Sequence, residues 1–281
     1  MKSTECSHCC RTRYPILLLH GMGFHDRHPI HYYWGRIPRL LRMHGATVYL
    51  SGQDGNAITA DNAQALVSVI EQILKETKAE KVNIIAHSKG GLEARYLVST
   101  LGMGHCIASV TTLSTPHHGS RTIDWLLPRF APIIKAGCGV FDSFRRLMGD
   151  RKPYTYRVIC ELTSAHMRKF NKENPDDPRV FYRSYAFVMK NPFSDMIMAV
   201  PNAVVYLFEG ENDGLLTPAN AKWTNFRGVY RSVARRGISH PDVTDYRRLP
   251  FRLYQPKRPK TLSDITVLYL AMVRELRLKG L

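Results

Sequence analysis

No apolar run in the 281 residues approaches the roughly 20 needed to cross a bilayer as a helix, which sets aside a chain built on helical membrane spans. Met1 to Arg13 also lacks the apolar stretch of a secretory signal. The expectation is a cytoplasmic protein, or a secreted one whose leader precedes this sequence. Acidic residues are scarce: 23 Asp and Glu stand against 40 Lys and Arg, a formal charge of +17. Such a surface draws the chain toward anionic partners. The basic residues are scattered in pairs such as Arg145-Arg146, Arg235-Arg236 and Arg247-Arg248, and none sits in a motif that reads bases. Nucleic acid is therefore not an expected partner, whereas transient contact with an anionic membrane or lipid interface is. Internal repeats and low-complexity tracts are missing, which excludes solenoids and fibrous arrays. The six cysteines give no zinc framework: Cys6-x-x-Cys9-Cys10 has knuckle spacing, but no second pair follows at such a spacing. Residues 1–13 read instead as a mobile N-terminal tail.

What is present is enough to build a core. Apolar residues make up 44% of the chain and charged residues 22%, a globular composition. A chain of this length suits one large domain. Short β-rich runs alternate with amphipathic segments, the pattern of a mostly parallel sheet with helices on both faces. Pro15-Ile16-Leu17-Leu18-Leu19 predicts a fully buried strand ending at His20-Gly21. Tyr32 to His44 predicts a helix stopped by Gly45, and Ala46 to Leu50 the next strand. From Thr59 onward Ala63, Leu66, Val67, Ile70, Ile73 and Leu74 recur at helical spacing. Lys81 to Ala86 predicts a strand, Gly90 to Leu101 a helix, and Ile107 to Leu113 and Ala203 to Phe208 further strands. The last helix is expected from about Ser263 to Leu276. Between about 121 and 192 the alternation breaks down, and Trp125, Phe130, Ile133, Phe141 and Leu147 are interspersed with Arg and Lys. That mixture predicts an inserted helical cap or lid within a domain spanning 14–281.

The sharpest chemical signal is Val82-Asn83-Ile84-Ile85-Ala86-His87-Ser88-Lys89-Gly90-Gly91. A strand runs into small-x-Ser-x-Gly and then into a helix, the context of a nucleophile elbow. Small residues flank the serine because its turn is strained, and the helix N-terminus favours developing negative charge. An acyl-transfer oxyanion needs two backbone donors aimed at it in advance. The N–H of Lys89, just after the serine, is one candidate; the N–H of Met22, in the turn His20-Gly21-Met22-Gly23, is the other. His20 itself reads as a structural residue that pins this loop. In this fold the acid and then the histidine follow the serine along the chain. Glu209-Gly210-Glu211-Asn212-Asp213-Gly214 offers three carboxylates, of which Asp213 suits a tight turn best and Glu211 is the runner-up. His240 is the only histidine after Asp213, so chain order leaves it as the general base for Ser88.

These motifs resemble the bacterial triacylglycerol lipases, a branch of the α/β hydrolases. The likeness runs from Tyr14 to about Thr122 through the first strand, Tyr33-Trp34-Gly35, Ala86 to Gly91 and Ser114-Thr115-Pro116-His117-His118-Gly119-Ser120. It resumes at Asn212-Asp213-Gly214 and His240. The resemblance implies an α/β-hydrolase fold and cleavage of carboxylic esters of apolar acids, such as glycerides, through an acyl-enzyme on Ser88. Acyl transfer to an alcohol, or cleavage of a polyester, would use the same three residues. No cofactor is required for that chemistry. A structural calcium is also implied, with Asp242 at one ligand position and Asp195 as the nearest second carboxylate.

Overall fold

The computed structural model describes residues 8–23, 26, 33–232, 237–246, 261–262 and 264–281, with backbone alone at 232, 261 and 262. Strand β1 (Ile16–Leu19) is apolar at every position. Ile16 and Leu18 enter one core cluster while Leu17 and Leu19 enter the other, so the strand is buried on both faces as the centre of a parallel sheet requires. Helix α1 (Ile37–Met43) opens with Pro38 in its first turn. It is shorter than the sequence predicts, because Tyr33 to Arg36 form a turn; Tyr32 lies outside the described residues. Strand β2 (Val48–Leu50) follows, then α2 (Thr59–Thr77), which buries Ala63, Leu66, Ile70 and Ile73 along the expected stripe. Next come β3 (Val82–His87), α3 (Gly90–Val98) and β4 (Ile107–Leu113).

Helix α4 (Arg121–Leu147) bends at Phe130, between Pro128 and Pro132. Pro132 has no N–H to give and its ring crowds the preceding turn. Helices α5 (Thr155–Glu161) and α6 (Ser164–Glu173) complete this helical stretch. The chain then re-enters the sheet as β5 (Phe181–Phe187), leaves it as α7 (Ala199–Glu209) and α8 (Pro218–Ala221), and returns as β6 (Phe226–Ser232). Strand β7 (Thr261–Leu262) and helix α9 (Ile265–Leu278) end the described structure.

The strands lie in the order β2-β1-β3-β4-β5-β6-β7, and every pair is parallel. The chain moves from β1 to β2 on one side and then crosses to β3 on the other. The carboxyl ends of β1 and β3 therefore flank the switch point, where open α/β sheets form their clefts. Helices α1 and α9 cover one face of the sheet through Ile37, Leu41, Tyr269 and Val273. Helices α2 and α3 cover the other through Ile70, Ile73, Ala94 and Leu97.

Three expectations need correction. The helical insert expected over 121–192 includes β5, a strand between β4 and β6. Polar residues disguise it: buried Arg183 sits in its middle, donating to Thr111 Oγ1 at 2.8 Å and to Met272 O at 3.0 Å and pairing with Glu275 at 2.9 Å. The strand predicted at 203–208 is part of α7. Its β-branched residues suggested a strand, but Asn202 and Val205 face inward at helical spacing while Tyr206 and Leu207 are exposed. Finally, the mobile tail expected over 1–13 is corrected for residues 8–13, which are packed on the fold; residues 1–7 lie outside the described residues. Cys10 is fully buried in the core cluster beneath α1 and α9, its N–H donates to His44 O at 2.9 Å, and Arg13 N–H donates to Leu281 O at 2.9 Å. Burial pushes the Cys10 thiol up to about 12, which keeps it protonated and unreactive.

Candidate active site

The register of β1 on β3 pairs Leu19 with Ala86, so two residues further on Gly21 comes to lie beside Ser88. A Cβ added to Gly21 would fall 2.8 Å from the Cβ of Ser88. Ser88 itself has a φ of 53°, the left-handed backbone that a non-glycine residue adopts only under strain. Ser88 N–H donates to Leu113 O at 2.9 Å, which ties the turn to β4. The small residue after it answers to a neighbouring strand rather than to the turn itself. A Cβ on Gly90 would meet His20 O at 2.6 Å and Leu19 O at 2.8 Å. Gly90→Ala is therefore expected to cost about 1–3 kcal/mol of stability by overpacking against backbone, read as a lower urea midpoint. An unchanged midpoint would mean the two segments part freely.

Asp213 sits in the turn after α7. Asn212 builds that turn: its Oδ1 accepts from Gly214 N–H at 2.8 Å and from Asn202 Nδ2 at 2.7 Å. Asp213 is fully buried, accepts from Leu215 and Leu216 N–H at 3.0 and 2.9 Å, and accepts from His240 Nδ1 at 2.8 Å. Burial alone would raise the carboxyl, but the charge and ring N–H of His240, with further donors, hold it below the usual carboxylate range. His240 N–H also donates to Asp213 O at 2.6 Å. The runner-up, Glu211, pairs with Arg231 at 2.5 Å in solvent instead. The His240 ring packs on the His87 ring with centroids 4.4 Å apart, and His87 is joined directly to Ser88. The Ser88 hydroxyl makes no hydrogen bond among the described residues. The structure thus joins the carboxylate to the imidazole and brings that imidazole against the residue before the strained serine, an arrangement from which a hydroxyl nucleophile can be activated once Oγ turns toward the ring.

The two backbone donors singled out in the sequence follow Gly21 and Ser88, the residues at which the turns after β1 and β3 come together. Neither Met22 N–H nor Lys89 N–H has a hydrogen-bond partner among the described residues. Gly21 N–H, just before Met22, donates to the Tyr33 hydroxyl at 2.8 Å, and that hydroxyl lies 2.5 Å from His87 Nδ1. His20 is buried, with ring nitrogens 2.8 Å from Gly21 O and 3.0 Å from Gln53 O, in keeping with a loop-pinning role.

Comparison with known proteins follows the same lines. The family model described as Palmitoyl protein thioesterase matches residues 15–234. Triacylglycerol lipase 2 of Saccharomyces cerevisiae is 31% identical over 263 residues, covering 88% of this chain and 74% of that protein. The chain belongs to the family that this model describes, with triacylglycerol lipase 2 among its relatives. The triacylglycerol lipase of Burkholderia plantarii is 40% identical over 176 residues, which cover 58% of the chain and 49% of that protein. The match thus spans about half the length of this bacterial relative. Among solved structures, Staphylococcus hyicus lipase aligns with a TM-score of 0.69 at 16% identity, over 96% of this chain and 97% of that one. Mature Bacillus licheniformis lipase BlEst2 aligns with a TM-score of 0.61 at 19% identity, over 83% and 87%. These likenesses show the α/β-hydrolase fold, and the family places the chain among carboxylic ester hydrolases.

The calcium ligands expected for this hydrolase are less well provided. Asp195 and Asp242 are both buried, but Asp195 Oδ1 accepts from Ile197 N–H at 3.0 Å and Asp242 Oδ2 from Ser239 N–H at 3.1 Å. Among the described residues no group of three or more His, Cys, Asp or Glu is placed to hold a metal. A calcium shell takes six to eight oxygens, so most would have to come from backbone and water. The carboxylates present do not make a calcium site by themselves, and no catalytic step below runs through a metal.

The roles of Tyr33, His87 and Glu93 escaped the sequence reading. Tyr33 and His87 link the turn after β1 to the turn after β3, and nothing in their spacing announces it. Lys89 and Glu93 form a buried ion pair, for which the i, i+4 spacing was a usable signal. His87 and His117 are both held well below the ordinary histidine value, chiefly by burial. A histidine kept neutral by the fold costs it nothing while the unfolded side chain is also neutral, and destabilises it once the unfolded side chain protonates. Each should remove about 1.4 kcal/mol per pH unit once pH falls below the unfolded value near 6.5. Melting temperature is expected to drop between pH 6.5 and 5; a flat profile would count against both assignments.

Proposed function

We propose that this hydrolase cleaves esters of apolar acids, such as glycerides, through an acyl-enzyme on Ser88. The observation that carries the reading is the Asp213–His240 hydrogen bond, whose imidazole packs on His87, the residue that leads into the strained turn at Ser88. In this account His240 takes the Ser88 proton as Oγ attacks the acyl carbonyl. Asp213 orients the ring and stabilises its charged form. The N–H groups of Met22 and Lys89 receive the oxyanion. His240 then protonates the departing alcohol, and water repeats the sequence to release the acid. The test is hydrolysis of p-nitrophenyl esters of graded chain length. Turnover that rises with acyl length until solubility limits it supports an apolar acyl site; a preference for acetate would contradict it.

A lipid interface is the proposed setting. Helix α4 exposes Ile133, Val140 and Leu147, and the stretch through α7 exposes Phe193, Met196 and Leu207, each by more than two thirds. Trp125 of α4 and Phe208 of α7 touch, with ring centroids 4.8 Å apart. Apolar residues exposed on two touching elements suit contact with lipid, and the positive chain favours anionic headgroups. Activity is expected to jump as an ester passes its solubility limit, and Ile133→Glu with Leu147→Glu should remove the jump while sparing dissolved short esters.

The family-model match favours a second reading, a thioester substrate, since the same acyl-enzyme forms from either ester. Palmitoyl-coenzyme A and p-nitrophenyl palmitate assayed side by side separate the two. Structural calcium is a separate proposal for Asp195 and Asp242: a chelator should lower the melting temperature, and an unchanged value removes it.

A further inference from the structure

The carboxylate of Glu93 lies where both walls of the oxyanion site can be reached from a single group. Glu93 is on the first turn of α3 and is fully buried. Its Oε1 accepts from Lys89 Nζ and from Asn62 Nδ2, the latter at 2.8 Å. Its Oε2 accepts from Gln53 Nε2. The same Gln53 amide donates to His20 O at 3.0 Å, and Gln53 O lies 3.0 Å from the His20 ring, whose other nitrogen lies 2.8 Å from Gly21 O. One side of the carboxylate thus holds the side chain of Lys89, and the other holds, through Gln53, the backbone that leads into Met22.

Burying a carboxylate and an ammonium together is an expensive way to fill space. The side chains of Lys89 and Glu93 are 3% and 1% exposed, and apolar residues of similar volume often serve stability as well or better. Donors that must meet a charge formed only in the transition state, however, need fixed positions, because reorientation during reaction forfeits their benefit. We infer that Glu93 is a positioning residue for the oxyanion site: it fixes Lys89 directly and the His20-Gly21-Met22 turn through Gln53. The inference rests on the reading of Met22 and Lys89 as oxyanion donors. Glu93 touches no reacting atom, so its effect should appear in turnover and not in ground-state binding.

The experiment uses Glu93→Gln and the double variant Lys89→Met/Glu93→Met. Each is measured for kcat and KM on p-nitrophenyl butyrate, for inhibition by an alkylboronic acid that mimics the tetrahedral adduct, and for melting temperature. Glu93→Gln leaves a buried ammonium without its counter-charge and is expected to melt lower. The double variant removes both charges and is expected to regain much of that stability. Both should lose roughly 10- to 100-fold in kcat, somewhat less than deletion of a whole donor costs, with KM within about twofold. Boronate affinity should weaken by the same factor as kcat. A double variant that regains wild-type kcat along with its stability would overturn the inference and leave the pair a purely structural one. If the boronic acid fails to inhibit the wild type, the oxyanion reading itself is wrong, which is a different failure.

Discussion

Ser88→Ala is expected to lower kcat on p-nitrophenyl esters by about 10⁶-fold, the scale seen when a serine nucleophile is removed from a complete triad. The size follows from the mechanism. Without the hydroxyl there is no acyl-enzyme, and water must attack the bound ester unaided by covalent catalysis. The fold should tolerate the change well. Ser88 is held at a φ of 53° by Gly21, by Leu113 O and by β3, and alanine keeps the same Cβ. KM should move little, since the hydroxyl contributes to the transition state more than to ground-state binding. Far-ultraviolet circular dichroism and a melt on the same sample separate lost chemistry from lost structure. A variant that folds and retains more than about one part in 10³ of the activity would mean another nucleophile is at work.

Asp213→Asn comes next in size, with a loss of roughly 10⁴-fold expected in kcat. The amide is nearly isosteric, and its oxygen can still accept from Leu215 and Leu216 N–H as the carboxylate does now. What it cannot do is balance a charged imidazole. An asparagine NH₂ facing His240 Nδ1 would also favour the wrong tautomer, leaving a proton on the nitrogen that must receive one from Ser88. Glu211→Gln is the matched control. Its carboxylate is exposed and paired with Arg231, and surface pairs of this kind contribute about 0–1 kcal/mol, so activity should stay near wild type. Equal losses in the two variants would reassign the acid.

The site was more legible in the sequence than the sheet that carries it. The elbow could be read because strand, small residue, serine and glycine follow one another within Ala86 to Gly90, so the signal is local. Chain order and the Asn-Asp-Gly turn point to Asp213 and His240, which the structure joins by a hydrogen bond, although the element before the turn is a helix and not the strand expected. Helix α7 has a strand-like sequence because Val204, Val205, Tyr206 and Phe208 are good strand formers. The neighbours of its sheet positions were already taken by β5 and β6, and pairing outweighs local preference. Strand β5 was missed for the opposite reason. Arg183 looks like a surface residue until Thr111, Met272 and Glu275 are brought around it from remote parts of the chain. Tyr33, Gln53 and Glu93 are of the same kind, since their roles exist only once β1, β3 and the segment after β2 converge.

The measurement that bears most directly on the central claim is the mass of the protein after exposure to a fluorophosphonate, followed by peptide mapping. The account predicts one adduct per chain, located on the peptide that contains Ser88, with none on Ser88→Ala and slow formation on a His240→Ala variant. An adduct on a different serine, or equal labelling of wild type and Ser88→Ala, would contradict it.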